Sequence, residues 1–344
     1  GDLQMKNGQI DKAKQTYDEA AKIDPDNAYV WVALSNYYSI VGDQKEADCL
    51  VQNALVNANL DIQTKIDILT EYLKSTLRKV AKDQNVDSLD ISLPGVDSLF
   101  MTIEQMHPTA PEVYDLHADY LAAINNDSLA AVQMRFACDL RPSETKYWDK
   151  LLSYASNIKD YDKLLRLCDV VESIHPEMNS PYTMRAWVYY NQKEYEKVIE
   201  AYMDALERTE AKEVNWKSTL WGNIGDTYHL LGNMEKVYES YDQALKYNDK
   251  NYMVLNNYAY FLSTENRDLL KAEGMASKVI QQYPDNPTYL DTYAWILYQE
   301  GSYMLAKFYQ KRAIDNCDPK EDNTTLYEHW HAILKALGEE TEEE

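Results

Sequence analysis

The chain has 344 residues and carries 34 basic against 57 acidic side chains, a formal net charge of −23. That excess argues against nucleic-acid and anionic-membrane partners, which need a basic stripe facing the phosphates. Hydrophobic residues make up 45% of the chain while Gly and Pro number 10 each, which suits an ample helical core with little room for sheets or linkers.

Taken in chain order, the predicted helices come in pairs. A small or branched residue is followed seven positions on by another at Ala13/Ala20, Ala47/Ala54, Val96/Ile103, Ala130/Ala137, Leu164/Val171, Val198/Ala205, Val237/Ala244, Ala272/Val279 and Ala306/Ala313. Residues two turns apart share one helical face, and small ones there let two helices approach closely. The first members are 34, 49, 34, 34, 34, 39, 35 and 34 residues apart, so the unit is a 34-residue repeat. Sixteen residues upstream lie Trp31, Tyr114, Trp148, Tyr182, Trp221 and Leu290, and twelve upstream lie Ser35, Ala118, Leu152, Ala186, Gly225 and Ala294. These make a second stripe, a bulky knob followed one turn later by a mostly small residue. Gly42-Asp43, Asn125-Asn126, Lys159-Asp160, Gly232-Asn233 and Gly301-Ser302 separate the two helices, where the chain reverses most readily. Pro25, Pro108, Pro142, Pro176 and Pro284 end the second helix, since proline cannot continue it. The expectation is an all-α chain of about nine helical hairpins forming a single array over residues 1–338.

Three departures punctuate the array. The 49-residue gap holds an irregular insertion at about 80–95, including DQNVDSLDISLPG from Asp83 to Gly95, in which no helical period survives; a passive cover is the favoured reading. The gap from Val198 to Val237 predicts a longer turn around Thr209 to Val214. Gly1 stands where the small residue in the middle of a first helix belongs, which implies that the chain is truncated at its N-terminus. Leu326 to Gly338 repeats the first-helix stripe through Tyr327, His331 and Leu334 and predicts a capping helix, followed by a disordered acidic tail at 339–344.

Period and stripes strongly resemble the tetratricopeptide repeat family over almost the whole chain, best at Trp31 to Ala54, Trp221 to Ala244 and Leu290 to Ala313. The resemblance implies a right-handed α-α superhelix, a TPR solenoid, whose first helices line a concave groove. It also implies a non-enzymatic scaffold that binds a protein or peptide segment there. The alternative is an assembly element, joining copies of itself or packing on repeats upstream. Leu255 to Gly301 further resembles the C-terminal end of repeat proteins of Bacteroides-type bacteria, from which a bacterial source is the expectation, with a place in the cell envelope, facing the periplasm and lipid-anchored, favoured over the cytoplasm.

Catalytic parts are missing: there is no nucleophile elbow, phosphate loop or zinc-protease motif. Cys49, Cys138, Cys168 and Cys317 lie far apart with no metal or disulfide spacing, and His329 and His331 are two residues apart on different sides of a helix. No cofactor and no metal are expected, and no apolar run is long enough to span a membrane. Counting from the knob, the groove positions in the C-terminal half are Trp187, Tyr190, Asn191, Asp226, His229, Asn256, Tyr260, Asp291, Trp295 and Tyr298. Aromatic anchors interleaved with amide and carboxylate acceptors suit a peptide, rings burying its apolar side chains and Asn pairing with its backbone. Some family members clamp a chain-terminal carboxylate with Lys, Arg and Asn. Here Val32, Asn36, Asp67, Glu112 and Leu116 stand at those places, so the expected partner is basic or neutral.

Overall fold

A computed structural model of the chain describes residues 1–82 and 95–339. The expected insertion and acidic tail fall almost wholly outside these residues. Every regular element among those described is a helix: nine successive pairs and a final single helix. The chain divides into two units, Gly1–Pro181 and Tyr182–Glu344.

The first unit contains α1 (Asp2–Lys6) with α2 (Ile10–Ile23), α3 (Ala28–Val41) with α4 (Gln44–Leu55), α5 (Ile62–Lys82) with α6 (Val96–Met106), α7 (Pro111–Ala123) with α8 (Asp127–Leu140), and α9 (Thr145–Ile158) with α10 (Tyr161–Ile174). Its anchors Ala13, Ala47, Val96, Ala130 and Leu164 are buried, as are Ala54, Ile103, Ala137 and Val171 seven residues on; Ala20 is half-buried. The helices stop where proline requires it. α2, α6, α8 and α10 each end two residues before Pro25, Pro108, Pro142 and Pro176. The knobs also have a polar duty that the stripe does not reveal. Trp31 and Trp148 donate their indole N–H to the carbonyls of Pro25 (3.0 Å) and Pro142 (2.8 Å), and Tyr114 donates its hydroxyl to that of Pro108 (3.4 Å). Each ring thus ties the start of one hairpin to the end of the previous one.

The second unit contains α11 (Ser180–Asn191) with α12 (Tyr195–Arg208), α13 (Val214–Leu230) with α14 (Met234–Tyr247), α15 (Tyr252–Thr264) with α16 (Leu269–Gln282), α17 (Pro287–Gln299) with α18 (Tyr303–Asn316), and α19 (Thr324–Leu337). Anchors Val198, Val237, Ala272 and Ala306 are buried, together with Ala205, Ala244, Val279 and Ala313. Most of the long gap before Val237 does not lengthen a turn. It extends α13 to 17 residues, against 12 in α11. Helix α19 packs on α17 and α18 as the cap, burying Leu326 and Ile333.

Hairpin reversals share one backbone device in both units: a residue with positive φ five before the anchor, at Gly8, Gly42, Asn125, Lys159, Lys193, Gly232 and Gly301. The α15–α16 turn, which holds the extra residue of the 35-residue gap, uses Asn266 (φ 51°) and Asp268 (φ 43°). The clash of Cβ with the following carbonyl oxygen makes this region costly for any residue but glycine, by about 1–2 kcal/mol. Lys159 sits there at φ 60°. Lys159→Gly is therefore expected to raise stability by about 1 kcal/mol, read as a higher urea midpoint with unchanged slope; a lower midpoint would show that stabilising contacts of the lysine side chain outweigh the strain.

Candidate functional site

The ten predicted groove residues all lie on the first helices of the second unit: α11, α13, α15 and α17. These helices are almost uncharged. Their only formal charges are Arg185, Lys217, Asp226 and Asp291, whereas each of the second helices α12, α14, α16 and α18 carries three or more. All four charges are turned to internal partners. Arg185 lies over the ring of Tyr182 at 5.8 Å and Lys217 over that of Tyr247 at 5.7 Å. Asp226 accepts hydrogen bonds from the Tyr241 hydroxyl and from Asn257 Nδ2 at 3.2 Å. Asp291 accepts from Gln310 Nε2 at 2.6 Å and pairs with His329 Nδ1 at 2.9 Å.

The two carboxylates therefore differ from the sequence expectation of open acceptors. The physical reason is that a buried carboxylate without donors is strongly unfavourable, and each has found donors on the helices packed behind it. Burial and the Asp226 charge push the Tyr241 hydroxyl well above the usual tyrosine range, so this bond keeps its proton throughout the physiological range. The same contact occurs in the first unit, where Tyr17 donates to Asp2 at 2.6 Å. A tyrosine four residues after the anchor was the available signal in both cases.

Exposure divides the other predicted residues. On α11, Trp187 is 38% and Tyr190 52% exposed; Asn191 is exposed and donates its Nδ2 to the carbonyl of Trp187 at 2.8 Å. His229 is exposed on α13 and stacks on Phe261 of α15 with ring centroids 4.2 Å apart. Phe261, which the counting rule missed because it directly follows Tyr260, also stacks with Tyr241 (6.3 Å) and leans on Tyr260 (5.8 Å). Toward the C-terminus the face closes. Asn256 is only 5% exposed, its Nδ2 toward Asn257 Oδ1 at 3.4 Å. Trp295 is half-buried between Tyr298 (4.8 Å) and His329 of α19 (4.0 Å). Half-buried Tyr260 approaches the same histidine ring at 6.3 Å, and burial, with smaller contributions from Asp291 and Glu328, raises its pKa. His329 thus occupies the side of Trp295 that helical counting presents as open, a position legible only once α19 is docked.

On the first helices of the first unit, several side chains also meet the chain's own groups. Val32, Asn36 and Ser39 line a cavity of about 440 Å³. Tyr29 donates to Asp61 at 2.8 Å, and Lys150 bridges Asp115 (2.5 Å) and Asp119 (2.8 Å). All four cysteines are free; Cys138 and Cys168 are buried, Cys49 is exposed and Cys317 lies between. Among the described residues no group of three His, Cys, Asp or Glu is placed to hold a metal ion, and no helix is long and apolar enough to cross a membrane.

The tetratricopeptide repeat pattern matches residues 1–27, 180–212 and 218–251. Protein bimA of Emericella nidulans is 20% identical over 159 residues, 46% of this chain, and the match spans only 19% of that protein's length. A tetratricopeptide repeat protein from Parabacteroides merdae has a crystal structure that superposes with a TM-score of 0.50 at 16% identity, covering 67% of this chain and 87% of that one. YrrB, described as a TPR protein with an unusual peptide-binding site, gives 0.43 at 14% identity, covering 57% and 96%. At such identities a likeness speaks for the fold alone. The 34-residue period, the succession of buried hairpins and the matched segments identify tetratricopeptide repeats in this chain, and its fold is like that of tetratricopeptide-repeat solenoids.

Proposed function

We propose that the first-helix face of the second unit holds an extended, uncharged segment of a partner protein, with Trp187 and Tyr190 as its aromatic anchors and His229 on Phe261 as a further platform. Tetratricopeptide repeats serve in general as protein-interaction scaffolds rather than enzymes, which agrees with the absence of catalytic motifs in the sequence. One observation carries the finer reading: the exposed side chains of this face are rings and amides, while all four of its formal charges face internal partners. Both carboxylates of these helices are already bonded to the chain's own donors, so a basic segment finds no open acid there and an uncharged one is favoured over it. Exposed rings bury apolar side chains, and Asn191 keeps the rest of its amide for a peptide backbone.

Trp187→Ala is expected to weaken binding by about 1–4 kcal/mol, the range of a central aromatic anchor, with helical content unchanged. The check is titration calorimetry with a partner recovered by pull-down, run at low and high salt. Affinity that hardly varies with salt supports an uncharged segment, whereas affinity that falls steeply would assign recognition to charge.

A further inference from the structure

Lys65 of α5 has no exposed surface, yet among the described residues no carboxylate pairs with it. Its Nζ lies 3.2 Å from Nε2 of half-buried His107, the residue that caps the end of α6, and 4.0 Å from Sδ of Met106. An ammonium donates three hydrogen bonds and accepts none, so the imidazole must be neutral at Nε2 to receive it. The buried histidines follow the opposite logic. His117 pairs with Glu104 at 2.6 Å, His175 with Glu177 at 3.1 Å and His329 with Asp291 at 2.9 Å, and a carboxylate favours the added proton that an amine opposes.

The repeat supplies an internal comparison. His107 and His175 each stand eleven residues after an anchor, Val96 and Leu164, and each precedes a proline. At His175 the Nε2 atom meets the carbonyl of Pro142 at 2.7 Å. A carbonyl only accepts, so that ring donates and a further proton leaves the bond intact. At His107 a donor stands in the carbonyl's place. The acids on the surrounding helices are committed elsewhere. Asp61, one turn before Lys65, accepts from Tyr29 of α3 at 2.8 Å and from Thr64 at 2.6 Å. Glu104 of α6 is held by His117, Glu112 of α7 by Arg141 at 2.7 Å, and Asp48 of α4 by Gln44 at 2.7 Å.

We propose that Lys65 and His107 form an acid-sensitive latch between α5 and the α6–α7 turn, closed while the pair carries one positive charge and released when it takes up a second. The turn moves with the latch because the His107 carbonyl accepts from the Ala110 N–H at 3.1 Å, which leads the chain into α7. Burial, and then the Lys65 charge, hold the His107 pKa below its ordinary value; burial also lowers that of Lys65, against the opposing field of Asp61. As pH falls, the unfolded chain therefore protonates this histidine before the folded one does. The contribution of the contact to stability is whole above about pH 6.5, the unfolded histidine value, and declines below it. Lys65 acts with the same sign in its own alkaline range. The latch is independent of peptide binding on the second unit.

Hydrogen exchange of the full chain between pH 7 and pH 5, read by mass spectrometry and corrected for the intrinsic pH dependence of exchange, tests the latch. The expected result is an opening constant for α5, α6 and the α6–α7 turn that rises by about tenfold, the change that a one-unit separation of folded and unfolded values produces. His107→Gln keeps an acceptor for the ammonium and cannot titrate, so it should abolish the rise, whereas His175→Gln should leave it. Lys65→Met should abolish it as well and should raise the pH at which the His107 imidazole titrates by NMR. Because His107 is half-buried, its glutamine variant decides the matter even if Lys65→Met disturbs the packing. No rise in the wild-type chain, or a rise that persists undiminished in His107→Gln, overturns the proposal. An unaltered His107 titration in folded Lys65→Met overturns the role of the amine.

Discussion

Gly225→Ala is expected to lower the stability of the chain by about 1–3 kcal/mol, although alanine in a helix ordinarily gains about 1 kcal/mol over glycine. A Cβ at this position would lie 2.5 Å from Cε1 and 2.7 Å from Cδ1 of Tyr241. That ring has nowhere to retreat. Its hydroxyl is bound to Asp226, its face lies against Phe261, and its neighbour Tyr258 closes the other side at 5.6 Å. Gly274 supplies the control within the same unit, since an added Cβ there meets nothing within 4 Å. Gly274→Ala should gain about 0.5–1 kcal/mol. Chemical denaturation of both variants, followed by helical circular dichroism, checks the pair; two changes of the same sign would remove close helix approach as the reason for glycine at 225.

Asp291→Ala should cost about 2–4 kcal/mol and loosen the C-terminal cap. The carboxylate is the shared acceptor for His329 on α19 and Gln310 on α18, and the pair with His329 is largely withdrawn from water, with side-chain exposures of 13% and 8%. Removing one partner of such a pair strands the other, a larger loss than the net worth of the contact. Because His329 also stacks on Trp295 at 4.0 Å, the tryptophan emission should shift to the red as α19 loosens. Adding His329→Phe should recover part of the loss, for it keeps the ring and removes the stranded polar group. Full additivity of the two substitutions would show that the residues do not act as a unit.

Much of this fold was legible because the repeat writes its geometry into residue types that have few alternatives. The close approach at Ala137 or Ala244 admits only small side chains, the reversals at Gly42 and Gly301 need positive φ, and Pro142 ends α8 wherever it stands. The turn at Lys159 shows that position in the repeat, rather than residue type, sets the conformation; the lysine takes the strain because the helices on either side require the reversal. The extra residues before Val237 were harder to place, since nothing local distinguishes a longer turn from a longer α13.

The candidate site was half legible. Trp187, Tyr190 and His229 are on the surface where helical counting puts them, because counting fixes the side of a helix from which a residue projects. It does not say what will be packed there. Asp226 and Asp291 project from that same side, yet Tyr241, 15 residues beyond the first, and His329, 38 beyond the second, supply donors that only the tertiary arrangement brings in. Trp295 is covered for the same reason, by the stack on α19. Carboxylates and indoles read identically in sequence whether their partner is the chain itself or another protein.

The most direct measurement is binding of three pools of end-blocked peptides, one uncharged with apolar and aromatic side chains, one basic and one acidic, to the full chain and to its Trp187→Ala variant. Fluorescence anisotropy of labelled pools gives the affinities. The proposed function predicts that the uncharged pool binds best, that salt changes its affinity little, and that Trp187→Ala weakens it by an order of magnitude or so. Preferential binding of the basic or acidic pool, or an uncharged pool that binds both proteins equally, would contradict it.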